Sequence, residues 1–513
     1  MANERTLTVI AGMGLLCFIT LGPFPADCRA GEDDWLRPLG PPPQAAPRRI
    51  SGGEGVPPLP LPATPLRRSE RKREPKPPTL IGKVMWGEKA MFTYGNGSTA
   101  EVADWNQCPG DLQQILRKSQ WRFELPYAGE AFPLSEFSGE PEAMPVLLFN
   151  GSRTIKLDAR QIAVLRAYVL RGGMVVFDSI AGSPYFYAGA RTITEAAFPE
   201  CAIRTLPPDH PLYHMLADVD TVRYPKNLDS DKPFLEGVYV GSRVGILLSK
   251  YGLGCSWDDR EVPLIQEAIY YDVESGNKIG INLVAYAVGY AAAGREEAKP
   301  ELFGALDEQH PTDEFVFAQV EHEGAWNVHP GAASALLVQL RQSTALKVSL
   351  KRVSVKPGQD DLSGYSFLYL TGLDDFRLDE SSRAALRGFL KHSGTLLINN
   401  GLGLRSFDAV ARREIAALLP GARLVPLPPT HPLYTAVFKI DRSRYTPAVV
   451  KATPDITYPV LEGIEVDGDV RVIYSPYDIE SAWLGCEYPL ARAYEPYSGT
   501  QLGVNIMMYA ATH

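Results

Sequence analysis

The residues of this chain that could do chemistry fall into two sets, related by an offset of about 221 residues. His210-Pro211-Leu212-Tyr213 returns as His431-Pro432-Leu433-Tyr434, and Arg223-Tyr224 returns as Arg444-Tyr445. An imidazole could serve as a base and a guanidinium could hold an anion. The immediate Pro instead marks each His as a structural turn with its ring bonded to backbone. Each Arg also has an acidic neighbour, Asp220 or Asp441, for a salt bridge. A cysteine or serine hydrolase needs its nucleophile on a strand-to-helix elbow with a His in reach. The elbows read Phe177-Asp178-Ser179-Ile180 and Ile398-Asn399-Asn400-Gly401. Neither carries Cys, Ser179 lacks the Gly-x-Ser-x-Gly surround, and Asn400 replaces it in the second copy. A covalent intermediate is therefore not expected. Asp178 is the one weak catalytic candidate, as a base.

His322 and His329 face Glu101 and Cys108 across the repeat. All four types bind metals, but the six-residue gap matches no zinc spacing and no third ligand is evident, so no metal is expected. With no Walker lysine loop and no Gly-x-Gly-x-x-Gly after the first strand, no cofactor is expected either.

Two repeated units of strand, helix and strand would position these residues. In the second, Phe315–Val320 reads as a short buried strand, and Trp326–Pro330 as a loop. A helix follows over about 331–341, and Phe367–Gly372 reads as a strand buried on both faces. Asp379 is placed to cap the next helix, and 395–398 is again a strand. The first copy answers with 146–149, a helix over 158–170, and 174–177. This grammar predicts an α/β fold: two homologous tandem domains, each an open, mostly parallel sheet flanked by helices. Ligands of such sheets sit beyond the strands' carboxyl ends. There the first copy gathers Trp105, Asn106, Asn150, Gly151, Asp178 and Tyr251, and the second gathers Trp326, Asn327, Thr371, Gly372, Asn399, Asn400 and Tyr477. The set suits a polar ligand against an aromatic wall. It equally suits rim packing, tight turns and helix caps.

The Trp-to-Pro loop, the strand ending Leu370-Thr371-Gly372, His-Pro-Leu-Tyr, Leu461-Glu462-Gly463-Ile464, Tyr474-Ser475-Pro476-Tyr477-Asp478 and Gly503-Val504-Asn505 carry a resemblance. On these motifs the chain resembles a bacterial family catalogued as domain of unknown function 4159. The resemblance spans nearly all of 312–513 and, more weakly, about 88–292. It implies a relative of the flavodoxin-like, class I glutamine amidotransferase-like fold, with no established activity. That family tends to place paired Asp where this chain has Asp178-Ser179 and Asn399-Asn400, which weakens any two-carboxylate role in the second copy.

A net charge of −9 argues against a nucleic-acid partner for the folded body. Leu7–Leu21 is an apolar run preceded by Arg5 and ended by Pro23 and Pro25, which reads as an export signal over 1–30. A Pro-rich basic linker is expected over 31–85, because such composition cannot offset its ordering entropy. Six of the ten residues from Arg67 to Lys76 are basic, suited to an acidic surface or to a solvated tether. The first domain is then expected over 86–297, an interdomain linker over 298–311 and the second domain over 312–513. Cys108, Cys201, Cys255 and Cys486 have no matching partners between copies, so a shared disulfide framework is excluded and the pairing stays open. The expectation is an exported, non-catalytic binding or assembly protein, periplasmic or extracellular, and membrane-tethered if the signal is not cleaved. Its partner would be an envelope protein, polar small molecule or glycan. The alternative is a hydrolase of the amidotransferase-like fold without a Cys nucleophile, and a third reading is a rigid spacer.

Overall fold

The computed structural model describes residues 30–36 and 76–513, apart from 95, 125, 138, 226–227, 260–265 and 300–313. Nearly all of the expected signal, most of the Pro-rich linker and most of the interdomain linker lie outside the described residues.

The first copy contains strands β1 (Thr79–Met85), β2 (Lys89–Thr93), β3 (Thr99–Ala103), β4 (Ala128–Pro133), β5 (Val146–Gly151), β6 (Met174–Ser179), β7 (Arg204–Thr205), β8 (Glu236–Val240) and β9 (Arg243–Ser249). Its helices are α1 (Asp111–Phe123), α2 (Ala159–Leu170), α3 (Pro184–Ala197), α4 (Gly254–Trp257), α5 (Val273–Gly289) and α6 (Ala291–Glu297). The second copy contains β10 (Glu314–Phe315), β11 (Ala318–Val320), β12 (Lys347–Val348), β13 (Val353–Val355), β14 (Phe367–Gly372), β15 (Thr395–Asn400), β16 (Val425–Pro426), β17 (Glu462–Val466) and β18 (Asp469–Ser475). Its helices are α7 (Ala332–Ser343), α8 (Glu380–Lys391), α9 (Arg405–Leu418), α10 (Pro447–Ala452), α11 (Glu480–Leu484) and α12 (Pro496–Thr512).

Each copy forms a seven-stranded sheet, ordered β4-β1-β5-β6-β9-β8-β7 and β13-β11-β14-β15-β18-β17-β16. The first five strands of each sheet pair in parallel and the last two join antiparallel. In chain order the parallel strands run 2-1-3-4-5, the flavodoxin-like order. The apolar runs explain the burial: every residue of β5, β6, β14 and β15 is buried, because helices cover both faces. On one face of the first sheet pack Ile115 of α1 and Leu283 of α5, and on the other Leu165 of α2 and Phe186 of α3. Asp158 and Asp379 cap α2 and α8 by accepting from Gln161 N and Ser382 N.

Two expectations change. The first sheet begins at Thr79, upstream of 86, because β1 pairs between the edge strand β4 and β5. The β2–β3 hairpin is inserted behind β1, which displaces that strand from the repeat offset and hides it beside the Pro-rich segment. The strand expected over 315–320 divides into β10 and β11 because the chain changes neighbours, from β12 to β13 and β14. The copies touch: Tyr290 Oη donates to Pro489 O at 3.0 Å, and Ser406 N to Asp209 Oδ2 at 3.1 Å.

Candidate functional site

In a 2-1-3-4-5 sheet the chain leaves strands 1 and 3 toward opposite faces, which opens a crevice at their carboxyl ends. In the second copy these strands are β11 and β14. The loops that follow them, with the 198–204 and 239–241 segments of the first copy, enclose a cavity of about 760 Å³. Trp326, Asn327, His322 and Asp374 line it from the second copy, and Arg204 and Tyr239 from the first.

The loops are held in place by polar contacts. The His322 ring stacks on Phe376 at 4.0 Å. Its Nε2 donates to Thr371 O at 2.7 Å and its Nδ1 accepts from Gly324 N at 3.0 Å, which fixes the neutral tautomer. Burial holds its pKa down to about 4, against the pull of the Thr371 carbonyl. Asp374 Oδ1 accepts from Ala325 N at 2.7 Å, and its Oδ2 faces Arg204 Nε at 3.3 Å. Arg204 also donates to Glu323 O at 3.0 Å, so one first-copy side chain clamps both second-copy loops. The Tyr239 hydroxyl, on a residue only 7% exposed, has no hydrogen-bond partner among the described residues. The hydroxyl oxygen is itself buried, behind the cavity wall.

Beneath the cavity lies a buried charge centre. His329 Nε2 meets Asp478 Oδ2 at 2.9 Å, and its Nδ1 lies 3.4 Å from Glu297 of the first copy. Burial opposes the imidazolium, but Asp478, Glu297 and Glu480 overcome it and lift the His329 pKa to about 10. Asp478 is lowered: burial opposes ionisation, and His329, Asn399 and the Leu402 amide outweigh it. Asn399 donates to Asp478 Oδ1 at 2.9 Å and accepts from Ile479 N at 3.0 Å. Asn400 donates to Leu404 O and Pro476 O. Arg352, fully buried, reaches Gln319 Oε1 at 3.1 Å and Asn327 Oδ1 at 2.7 Å.

The same edge of the first copy is built differently. Lys83 Nζ lies 2.8 Å from both oxygens of Asp111 and 2.9 Å from Cys108 O. Asn150 donates to Asp111 Oδ2 at 2.7 Å. Asp178 is fully buried, and its two oxygens accept from Leu253 N and Gly254 N at 2.8 Å each. Burial raises its pKa to about 7 despite those amides. Residues 30–36 cover this crevice. Ser152 Oγ donates to Trp35 O at 2.8 Å, Thr154 N to Glu32 Oε1 at 2.7 Å, and Arg153 pairs with Asp33 at 3.3 Å.

Of the expected ligand residues, only Trp326 and Asn327 reach the cavity wall. Gly372, Thr371, Asn399 and Asn400 lie buried below it, and Gly151, Asn150 and Asp178 are buried in the first copy. Trp105 and Asn106 are half-buried near Lys83, which lies 5.9 Å from the Trp105 ring. Tyr251 and Tyr477 pack into aromatic clusters with Tyr224 and Tyr271, and with Tyr445 and Tyr494. His210 and His431 accept from Leu212 N and Leu433 N through Nδ1, as structural turns do. Arg223 pairs with Asp272 and Glu274 rather than Asp220, because Asp272 caps the adjacent α5.

At the elbows, the left-handed non-glycine residues are Ala181 (φ 57°) and Leu402 (φ 53°), neither of them a nucleophile. Ser179 Oγ is buried with no hydrogen-bond partner among the described residues, so no imidazole activates it. His322 and His329 go to separate partners, and among the described residues no three His, Cys, Asp or Glu side chains converge as a metal site. Reasoning copy by copy missed Arg204, Tyr239 and Asp374. The signal was available: Val425 stands opposite Arg204, and Arg153 opposite Asp374. A charge that the fold does not need in both copies marks a copy-specific role.

The family model described as "Domain of unknown function (DUF4159)" matches residues 92–288 and 316–511. The chain belongs to this family, in two tandem copies. No curated protein matches it.

Proposed function

We propose that this is an exported, non-catalytic binding protein of the cell envelope, which holds a polar glycan-class ligand in the cavity between its copies. The observation that carries the reading is the position of the cavity, at the strand crossover of the second copy. There the half-buried Trp326 ring, Asn327 and the Arg204–Asp374 pair line one space. An indole face with a few fixed polar groups is a common means of holding a sugar ring. Export rests on the Leu7–Leu21 run. The hydrolase reading is the weaker one, because Asp178 is fully buried and both its oxygens are occupied by amides.

Titration calorimetry with two probes tests the proposal: an oligomer of β-1,4-linked N-acetylglucosamine, and soluble muropeptides from digested peptidoglycan. Binding of at least one is expected, weakened about tenfold or more (about 1.4 kcal/mol) by Trp326→Ala and left intact by Trp105→Ala. No heat from either probe at millimolar concentration would sink the glycan reading. Turnover of either probe that Asp178→Asn abolishes would revive the hydrolase.

A further inference from the structure

Two cysteines that the sequence could not pair come together at the first copy's strand edge. Cys108, in the turn before α1, and Cys255, in α4, have their Sγ atoms 3.1 Å apart. Both are fully buried, and Trp35, Ile180, Ala181, Ala268 and Tyr270 pack around them. The corresponding residues of the second copy are His329 and Ser481, which form no such pair. A contact this short between two thiols needs only a small side-chain rotation to become a bond.

We propose that Cys108 and Cys255 are a dithiol–disulfide site, which ties the turn before α1 to α4 and seats the Trp35 ring over the bond. The oxidant is a disulfide, small-molecule or protein. One protein thiol, as its thiolate, attacks the oxidant's S–S bond and forms a mixed disulfide, releasing one oxidant thiol. The second protein thiolate then displaces the other oxidant sulfur. One S–S bond forms in the protein and one breaks in the oxidant, which takes up the two electrons and two protons. Burial pushes the Cys108 thiol well above its ordinary range, and Cys255 and Asp111 add to this. The thiolate therefore forms while the chain is folding or transiently open, before Trp35 closes over it.

The full chain, reduced and unfolded in urea, is refolded in a mixture of reduced and oxidised glutathione, then unfolded, alkylated and digested. The expected product is one peptide pair joined through Cys108 and Cys255, lighter by two hydrogens than the free thiols. Cys201 and Cys486 should be alkylated. Full alkylation of Cys108 and Cys255, or linkage of either to another cysteine, overturns the proposal. Refolding makes this outcome independent of oxidant access to the folded interior. Oxidised protein should also melt roughly 5–10 °C above reduced protein. The C108S/C255S variant should show no such difference; an undiminished difference in that variant would place the stabilising bond elsewhere.

Discussion

The two copies share a backbone and differ in what lies at its functional edge. The shared features are structural. Asn282 brackets the Leu216 and Ala217 amides, and Asn505 brackets those of Val437 and Phe438. Ala181 and Leu402 make the same left-handed turn. The buried charges are rewired. Sheet register sets Lys83 beside Leu148 and Gln319 beside Tyr369, so Gln319 occupies the Lys83 position, while Ala332 stands where the first copy has Asp111. Cys108 and Gly252 give way to His329 and Asp478, which make the second copy's ion pair. The fold thus requires buried charges at this edge to be compensated, and does not dictate which residues compensate them. The cover differs too: the first edge lies under residues 30–36, and the second faces a cavity clamped by Arg204.

The comparison breaks most readily at the ion pairs. His329→Ala strands the buried Asp478 without its counter-ion and should cost about 3–5 kcal/mol in urea unfolding. The pH dependence follows from the two shifts. The raised His329 pKa gives stability that is complete below its unfolded value of about 6.5 and lost as pH climbs through about 10. The lowered Asp478 pKa gives stability present above about 3.9 and lost as pH falls. The stability difference between wild type and His329→Gln should therefore be greatest near pH 4–6.5 and shrink toward pH 10.

Somewhat smaller is the first-copy test. Asp111→Ala alone leaves Lys83 unpaired and should cost about 3 kcal/mol. Lys83→Gln/Asp111→Ala, which installs the second copy's residues, should recover at least half of that in a double-mutant cycle. Strict additivity would mean that the two centres are not alternative solutions. Asn282→Ala and Asn505→Ala should each cost about 1–3 kcal/mol and match each other closely in urea unfolding, since both do one structural job. A large mismatch would unsettle the claim of a common fold. The smallest effect belongs to Arg204→Val, which copies Val425. Arg204 is about one-third exposed, so thermal unfolding should register about 1 kcal/mol or less.

How much of this was legible follows from where the signals lie. The apolar runs Val146–Phe149 and Phe367–Leu370 announced buried parallel strands, and Asp158 and Asp379 announced helix starts, because period and caps are local properties. β1 was not legible. Its central Lys83 interrupts the apolar pattern, and the inserted β2–β3 hairpin takes it out of the repeat offset. The docking of Glu32–Trp35 was hidden within a stretch whose composition reads as a tether. The Arg204–Asp374 clamp and the Cys108–Cys255 contact join residues 170 and 147 positions apart, and only assembled topology brings such residues together. Within the candidate site, Trp326 and Asn327 were readable from their loop. The wall that the first copy supplies was not.

The rewired charge centre is tested most directly by nuclear magnetic resonance titration of the histidine rings in the full chain. His329 should remain an imidazolium through pH 9, while His322 stays neutral down to pH 5, its pKa lying near 4. A His329 ring that loses its proton near pH 6.5, as a free imidazole does, would contradict the account.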